Sequence, residues 1–456
     1  MKGGPLRSGH RSVVVRRAIG GLAALLAVAT GAPRADDASP PRSAPGMESM
    51  AHPTADENLR GAVEKLRKRY RLDSREGLAA LRDLSLGVLR EGLKDDDPYE
   101  RCYSASALAA QGDWSGGTVL EEGVASSDVA LKRAAIEGLG DIGRGEALRR
   151  LRQIYSESDS FGQLLVLQGL RGSGAESFDL QIKALGDADG GLRMQAVENL
   201  GLLGDRRAIP AVQAILGRQD VQMFERVKAA HALLRLGDRS GVPLLLAALE
   251  GSPGTGRSAA TLALGYANEN RFVPMLTKLL RDPEIDVDIA AATALSRYGR
   301  KDGLPQLQQA LADQDTFTRR HGAMLLEHVQ YGVAREVVLS GLEASDVGVR
   351  LAATHVVGVE GDAKDIGALV KLMHSDEDPM VRAAVAWAFG HMANRKVVDP
   401  LVELVQEQAP EVRHTAADGL ARTVSKLIGP ADEGRQNERF AASARPQTRA
   451  SRRNFS

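Results

Sequence analysis

Six of the nine histidines lie between His321 and His414, a stretch that also holds Trp387, one of only two tryptophans. His355, Trp387, His391 and His414, with Arg320, Met324 and Leu351, form the set best suited to chemistry or recognition. Imidazoles hold divalent metals or move protons near neutral pH, and a tryptophan face anchors partners. A metal bound by His355, His391 and His414 would need imidazoles from neighbouring helices to converge. Helix axes roughly 8–10 Å apart allow that, but no spacing here is diagnostic of a metal, and His321 falls at a position expected to be packed. No Ser/His/Asp grouping sits on a recognisable nucleophile turn. Gly251–Arg257 (GSPGTGR) lacks the Lys-Ser/Thr and the preceding strand of a phosphate loop. The expectation is a surface that binds a protein or peptide, with no catalysis, no metal and no cofactor.

A repeat has to position these residues. From Arg101 a register position recurs at Lys132, Gln163, Arg193, Arg226, Arg257, Asp288, Arg319, Arg350, Arg382 and Arg413, 30 to 33 residues apart. Seven residues after each stands an apolar side chain, from Leu108 to Leu420. Such a period means one supersecondary unit copied eleven times, each hiding its apolar face against the next. The fifth residue after each register position varies widely: Ser106, Glu137, Gln168, Glu198, His231, Leu262, Thr293, Met324, His355, Trp387, Asp418. The first also varies, including Arg133, Arg320, Leu351 and His414.

Within a copy the local signals are those of two helices. Asp stands four residues before the register position in seven copies, at Asp97, Asp128, Asp159, Asp189, Asp315, Asp346 and Asp378. It is a favoured N-cap, and Pro98 and Pro379 take the first helical slot that tolerates proline. The spacing of four also allows ion pairs in a ladder of Asp97–Arg101, Asp189–Arg193, Asp315–Arg319, Asp346–Arg350 and Asp378–Arg382. Gly140-Asp141, Gly204-Asp205, Gly237-Asp238 and Gly361-Asp362 read as helix ends. A second helix follows, often with proline in its first turn, as at Pro210, Pro243, Pro274, Pro305 and Pro400. Strand signals are essentially absent.

Asp378-Pro-Met-Val-Arg-Ala-Ala-Val-Ala-Trp-Ala-Phe-Gly390 and Asp346-Val-Gly-Val-Arg-Leu-Ala-Ala-Thr-His355 carry a resemblance to HEAT repeats. More narrowly they resemble the short HEAT-like repeats of phycobilisome lyases. The resemblance covers about residues 75–428 and departs at Gln163 and Asp288, where local packing is expected to be looser. It implies an all-α, right-handed α-solenoid of about eleven helix pairs whose arginine-bearing helices line a concave groove. Deoxyhypusine hydroxylase, a HEAT-like enzyme, holds iron with repeated His-Glu pairs, and no His-Glu dipeptide occurs in this chain. HEAT-like DNA glycosylases need a basic groove.

Composition and the chain ends complete the expectation. Lys plus Arg and Asp plus Glu number 59 each, but both termini are basic, which leaves an acidic body unsuited to nucleic-acid phosphates. Residues 1–32 read as an export signal, or an N-terminal anchor if uncleaved. In them Arg16-Arg17 precedes a short apolar run. Residues 33–55 read as a disordered linker, 56–428 as the solenoid with a capping helix near 55–70, and 429–456 as a disordered basic tail. The single cysteine, Cys102, leaves no disulfide to form. The function expected is an exported scaffold, periplasmic or secreted, binding a protein or peptide in its groove. The alternatives are a bilin-lyase-like or metal- or ligand-holding HEAT enzyme, and a membrane-anchored scaffold.

Overall fold

The structure, a computed structural model, describes residues 55–429 apart from 172, 252 and 253. The expected export segment, nearly all of the linker and residues 430–456 of the tail lie outside the described residues. Twenty-three α-helices follow one another, with no strand among the described residues. None of them is long and apolar enough to cross a membrane.

Each copy begins where its aspartate says it should. All seven aspartates are N-caps whose carboxylates accept from first-turn amides, as Asp189 does from Gly191 and Leu192. Replacing such a cap with Ala costs about 0.5–2 kcal/mol. Because the carboxylates serve the helix amides, the expected ladder pairing is replaced by another. Arg193 donates back to the carbonyls of Asp187 and Ala188 at 3.0 and 2.7 Å, and forward to both oxygens of Glu225 in the next copy. Arg319, Arg350 and Arg382 repeat the pattern, reaching Asp346, Asp376 and Glu407. Arg101 holds the carbonyls of Asp95 and Asp96. The register arginine is therefore a staple between copies rather than an intrahelical partner.

Of the expected helix ends, Gly204 and Gly237 adopt positive φ. Gly140 does not end a helix. It lies inside Val129–Ile142, where a Cβ would collide with the backbone carbonyl of Gly169 in the third copy. At Gly390 a Cβ would stand 2.6 Å from the Gly419 Cα. Small residues on this face let successive register helices approach closely.

The stack closes. Among the described residues no second helix follows the last register helix, Pro410–Ile428. Arg75–Gly92 packs along it instead and fills that place. The same core cluster accordingly joins Leu81, Leu89 and Leu108 to Leu401, Leu420 and Val424. The seam is polar at its heart: His414 and Glu100, 2% and 3% exposed, meet at 2.9 Å. Ser425 donates to Gln111. Ala55–Arg69 precedes the ring and buries Val63 in the same core. The expected open groove is thus a closed lumen, because the two ends of the chain complete one shared helix pair.

Candidate functional site

The lumen is lined by two rows of side chains, the fifth and the eighth or ninth residues after the register position. Three or four residues apart on a helix, they share one face. Arg171 in the third copy crosses to Glu327 in the eighth at 3.2 Å while also holding Glu198 at 3.1 Å. Contacts between nearly opposite copies show how narrow the lumen is.

On one side of that bridge lie His231, Tyr266 and His328. The Tyr266 hydroxyl stands 2.9 Å from His328 Nδ1, and the His231 and Tyr266 rings are 4.7 Å apart. Arg297 and Arg235 lie over the Tyr266 ring at 3.7 and 5.0 Å. Burial, reinforced by these cations, pushes His231 well below the usual imidazole range and His328 down to about 3. Both rings are neutral at ordinary pH. His231 Nε2 is buried and makes no hydrogen bond. It faces a recess of about 80 Å³ walled by Val197, Leu202, Val227 and Leu262, with Arg171, Lys228 and Arg235 against Glu198.

On the other side, His355 stacks on Trp387 at 4.8 Å and Trp387 meets His391 at 3.8 Å. Burial lowers His391 to about 4 although its edge touches water. Nearby, burial raises Glu137 to about 8 and Asp141 to about 6, the latter opposed by Arg422 and assisted by Asp418. Asp141 is exposed to water. Displaced carboxyls and imidazoles gathered in one cleft mark functional sites more often than chance.

Of the seven residues singled out in the sequence, the structure brings three together: His355, Trp387 and His391. Met324 is half-buried beside the core, and Arg320 is exposed. Leu351 is 2% exposed and packs between copies, and His414 is spent on the seam, so neither can meet a partner. The imidazoles of His355, His391 and His414 do not make a metal site. Among the described residues no group of three or more His, Cys, Asp or Glu is placed to hold an ion. Arg171, Tyr266, Arg297, Glu327, His328 and Arg422 escaped the sequence reading. The signal that could have found them is a second column of large polar residues four positions beyond the first.

Among known proteins, this chain is 26% identical over 282 residues to deoxyhypusine hydroxylase-B of Oryza sativa subsp. japonica, spanning 60% of this chain and 90% of that one. It is 29% identical over 160 residues to phycocyanobilin lyase subunit alpha of Nostoc sp., spanning 32% and 57%. The solved complex of CpcE and CpcF of phycocyanin lyase from Nostoc sp. is similar at 22% identity, covering 60% of this chain and 92% of that one, with a TM-score of 0.33. The expectation of a chain outside the enzymes is corrected by these relatives, which are named as enzymes. HEAT repeats match residues 86–171, 178–265, 242–327, 304–386 and 366–431, well over half the sequence. A match of that extent shows that the chain belongs to the HEAT-repeat family.

Proposed function

We propose that this protein is a ligand-holding HEAT ring on the enzyme-bearing side of its family, taking a small anion such as a carboxylate or phosphate into the lumen. The observation that carries the reading is the recess facing His231. Three cations and one carboxylate line it, a buried imidazole nitrogen there lacks a hydrogen bond, and apolar side chains make up part of its wall. At about 80 Å³ it is far below the roughly 300–1,000 Å³ of pockets for drug-sized ligands. That size speaks for a molecule of a few heavy atoms and against a tetrapyrrole. Neutral His231 can accept a hydrogen bond at the ligand's edge, while Lys228 and Arg235 supply positive charge.

The iron of the hydroxylase relatives does not fit here. The chain lacks His-Glu pairs, and the described residues offer no converging donor set. What these residues support is the binding of an anion through charge and hydrogen bonds. Isothermal titration calorimetry with inorganic phosphate and with acetate tests the reading. The expected result is one saturable site, weakened at least tenfold in Lys228→Met/Arg235→Met. Absence of saturable heat at millimolar ligand, or equal affinity in that variant, would overturn it.

A further inference from the structure

The register helices run parallel round the ring, so their first turns all emerge on one rim. Of the eight exposed large apolar residues recorded among the described residues, six lie in those first turns: Val129, Phe161, Met223, Phe224, Ile285 and Phe317, between 38% and 58% exposed. The surrounding surface is strongly acidic. In the eight residues ending at each register position, Asp and Glu number 25 and Lys and Arg 11. Helix N-termini ordinarily attract anions. Here the capping aspartates already occupy the end amides, so the rim offers negative charge interleaved with exposed apolar side chains. Such a surface suits a basic segment bearing aromatic residues.

One such segment is part of this chain. Residues 430–456 contain Arg435, Arg439, Arg445, Arg449, Arg452 and Arg453 with Phe440 and Phe455, against Asp432, Glu433 and Glu438. The Pro410–Ile428 helix carries the chain about 28 Å away from the acidic rim. Fully extended, residues 430–456 reach about 90 Å, enough to return and run along several copies. Closure sets the last copy beside the first, and the rim of the first three copies bears Asp96, Asp128, Glu157 and Asp159, with Val129 and Phe161 exposed among them.

We propose that the arginine-rich segment 430–456 docks on this chain's own acidic rim across copies one to three, covering Val129 and Phe161. Arginines pair with the rim carboxylates and Phe440 or Phe455 packs on the exposed apolar residues.

A fluorophore on Ser456→Cys in the full chain tests this. Labelling is confined to the new thiol because Cys102 is buried and its thiol is pushed up to about 11. High, concentration-independent anisotropy is expected. It should fall at least twofold in Val129→Ser/Phe161→Ser and in about 0.5 M salt, where charge interactions are screened within a few Å. Circular dichroism of that variant should match the parent, since both side chains are about half exposed. Anisotropy that ignores the rim substitutions overturns the proposal, and so does anisotropy that grows with protein concentration, which would place a second copy there. Neither outcome bears on anion binding in the lumen.

Discussion

Closure of the ring makes a sharp prediction at His414 and Glu100. These residues are 314 apart in sequence, 2.9 Å apart in space, and 2% and 3% exposed. His414→Ala removes the imidazole from a buried carboxyl. Breaking a buried pair by deleting one member costs about 3–5 kcal/mol, whereas exposed pairs contribute only about 0.2–1 kcal/mol. Glu100→Ala should cost a similar amount. The double variant should cost several kcal/mol less than the sum, because neither partner is then stranded. Urea unfolding of the four proteins gives the coupling energy. Small-angle scattering adds an independent readout. A compact chain of the described length has a radius of gyration near 21 Å by the usual scaling. Eleven copies stacked openly at about 10 Å each would exceed about 30 Å. Single-variant losses below about 1 kcal/mol with no coupling would mean both side chains face water, and the closed ring would be wrong.

Other outcomes follow from the packing and from the displaced titrations. Gly140→Ala drives a Cβ into the Gly169 carbonyl, so loss of roughly 3 kcal/mol or more is expected in thermal or urea unfolding, whereas Gly61→Ala, inside a helix with nothing nearby, should gain roughly 0.5–1 kcal/mol. Arg193→Lys should destabilise measurably more than Arg413→Lys in the same assay, because lysine cannot reproduce the fork that holds two carbonyls and buried Glu225 together. Glu137 has a folded pKa near 8, above its ordinary 4.5, so its contribution is complete below about pH 4.5 and is lost as pH rises through 8. Glu137→Gln should therefore gain on the parent in urea midpoint as pH rises across that window. His328 is the opposite case. Its folded pKa is about 3 against an ordinary 6.5, so the native state disfavours the proton and stability falls as pH drops from about 6.5 toward 3. His328→Gln should flatten that acid limb.

What could be read from the residues was whatever repeats. Asp capping, the proline slots and the apolar seventh position follow from local backbone chemistry, and each recurs often enough to stand clear of noise. Closure did not show, because it sums small rotations, about 33° per copy for eleven copies. No single residue encodes such an angle. Gly140 shows the difficulty: glycine before aspartate reads as a helix end, yet its role is to let two backbones touch. Half of the lumen was legible, since the variable row holding Glu137, His231, His355 and Trp387 does face inward. The rest was not, because Arg171 meets Glu327 only across a closed ring. His414 looked like a binding residue for the same reason. Its partner, Glu100, lies at the other end of the repeat array.

Arg75–Gly92 supplies the second helix of the final copy, and this bears on how the molecule comes apart. An open stack frays from its tips, where a copy has one neighbour and unravels cheaply. In a closed circle every copy has two neighbours, so losing one first requires breaking an interface on each side. Unfolding should then be a single cooperative event, with amide exchange uniformly slow from copy one to copy eleven. Removing Arg75–Gly92 alone should restore a graded, end-inward melt.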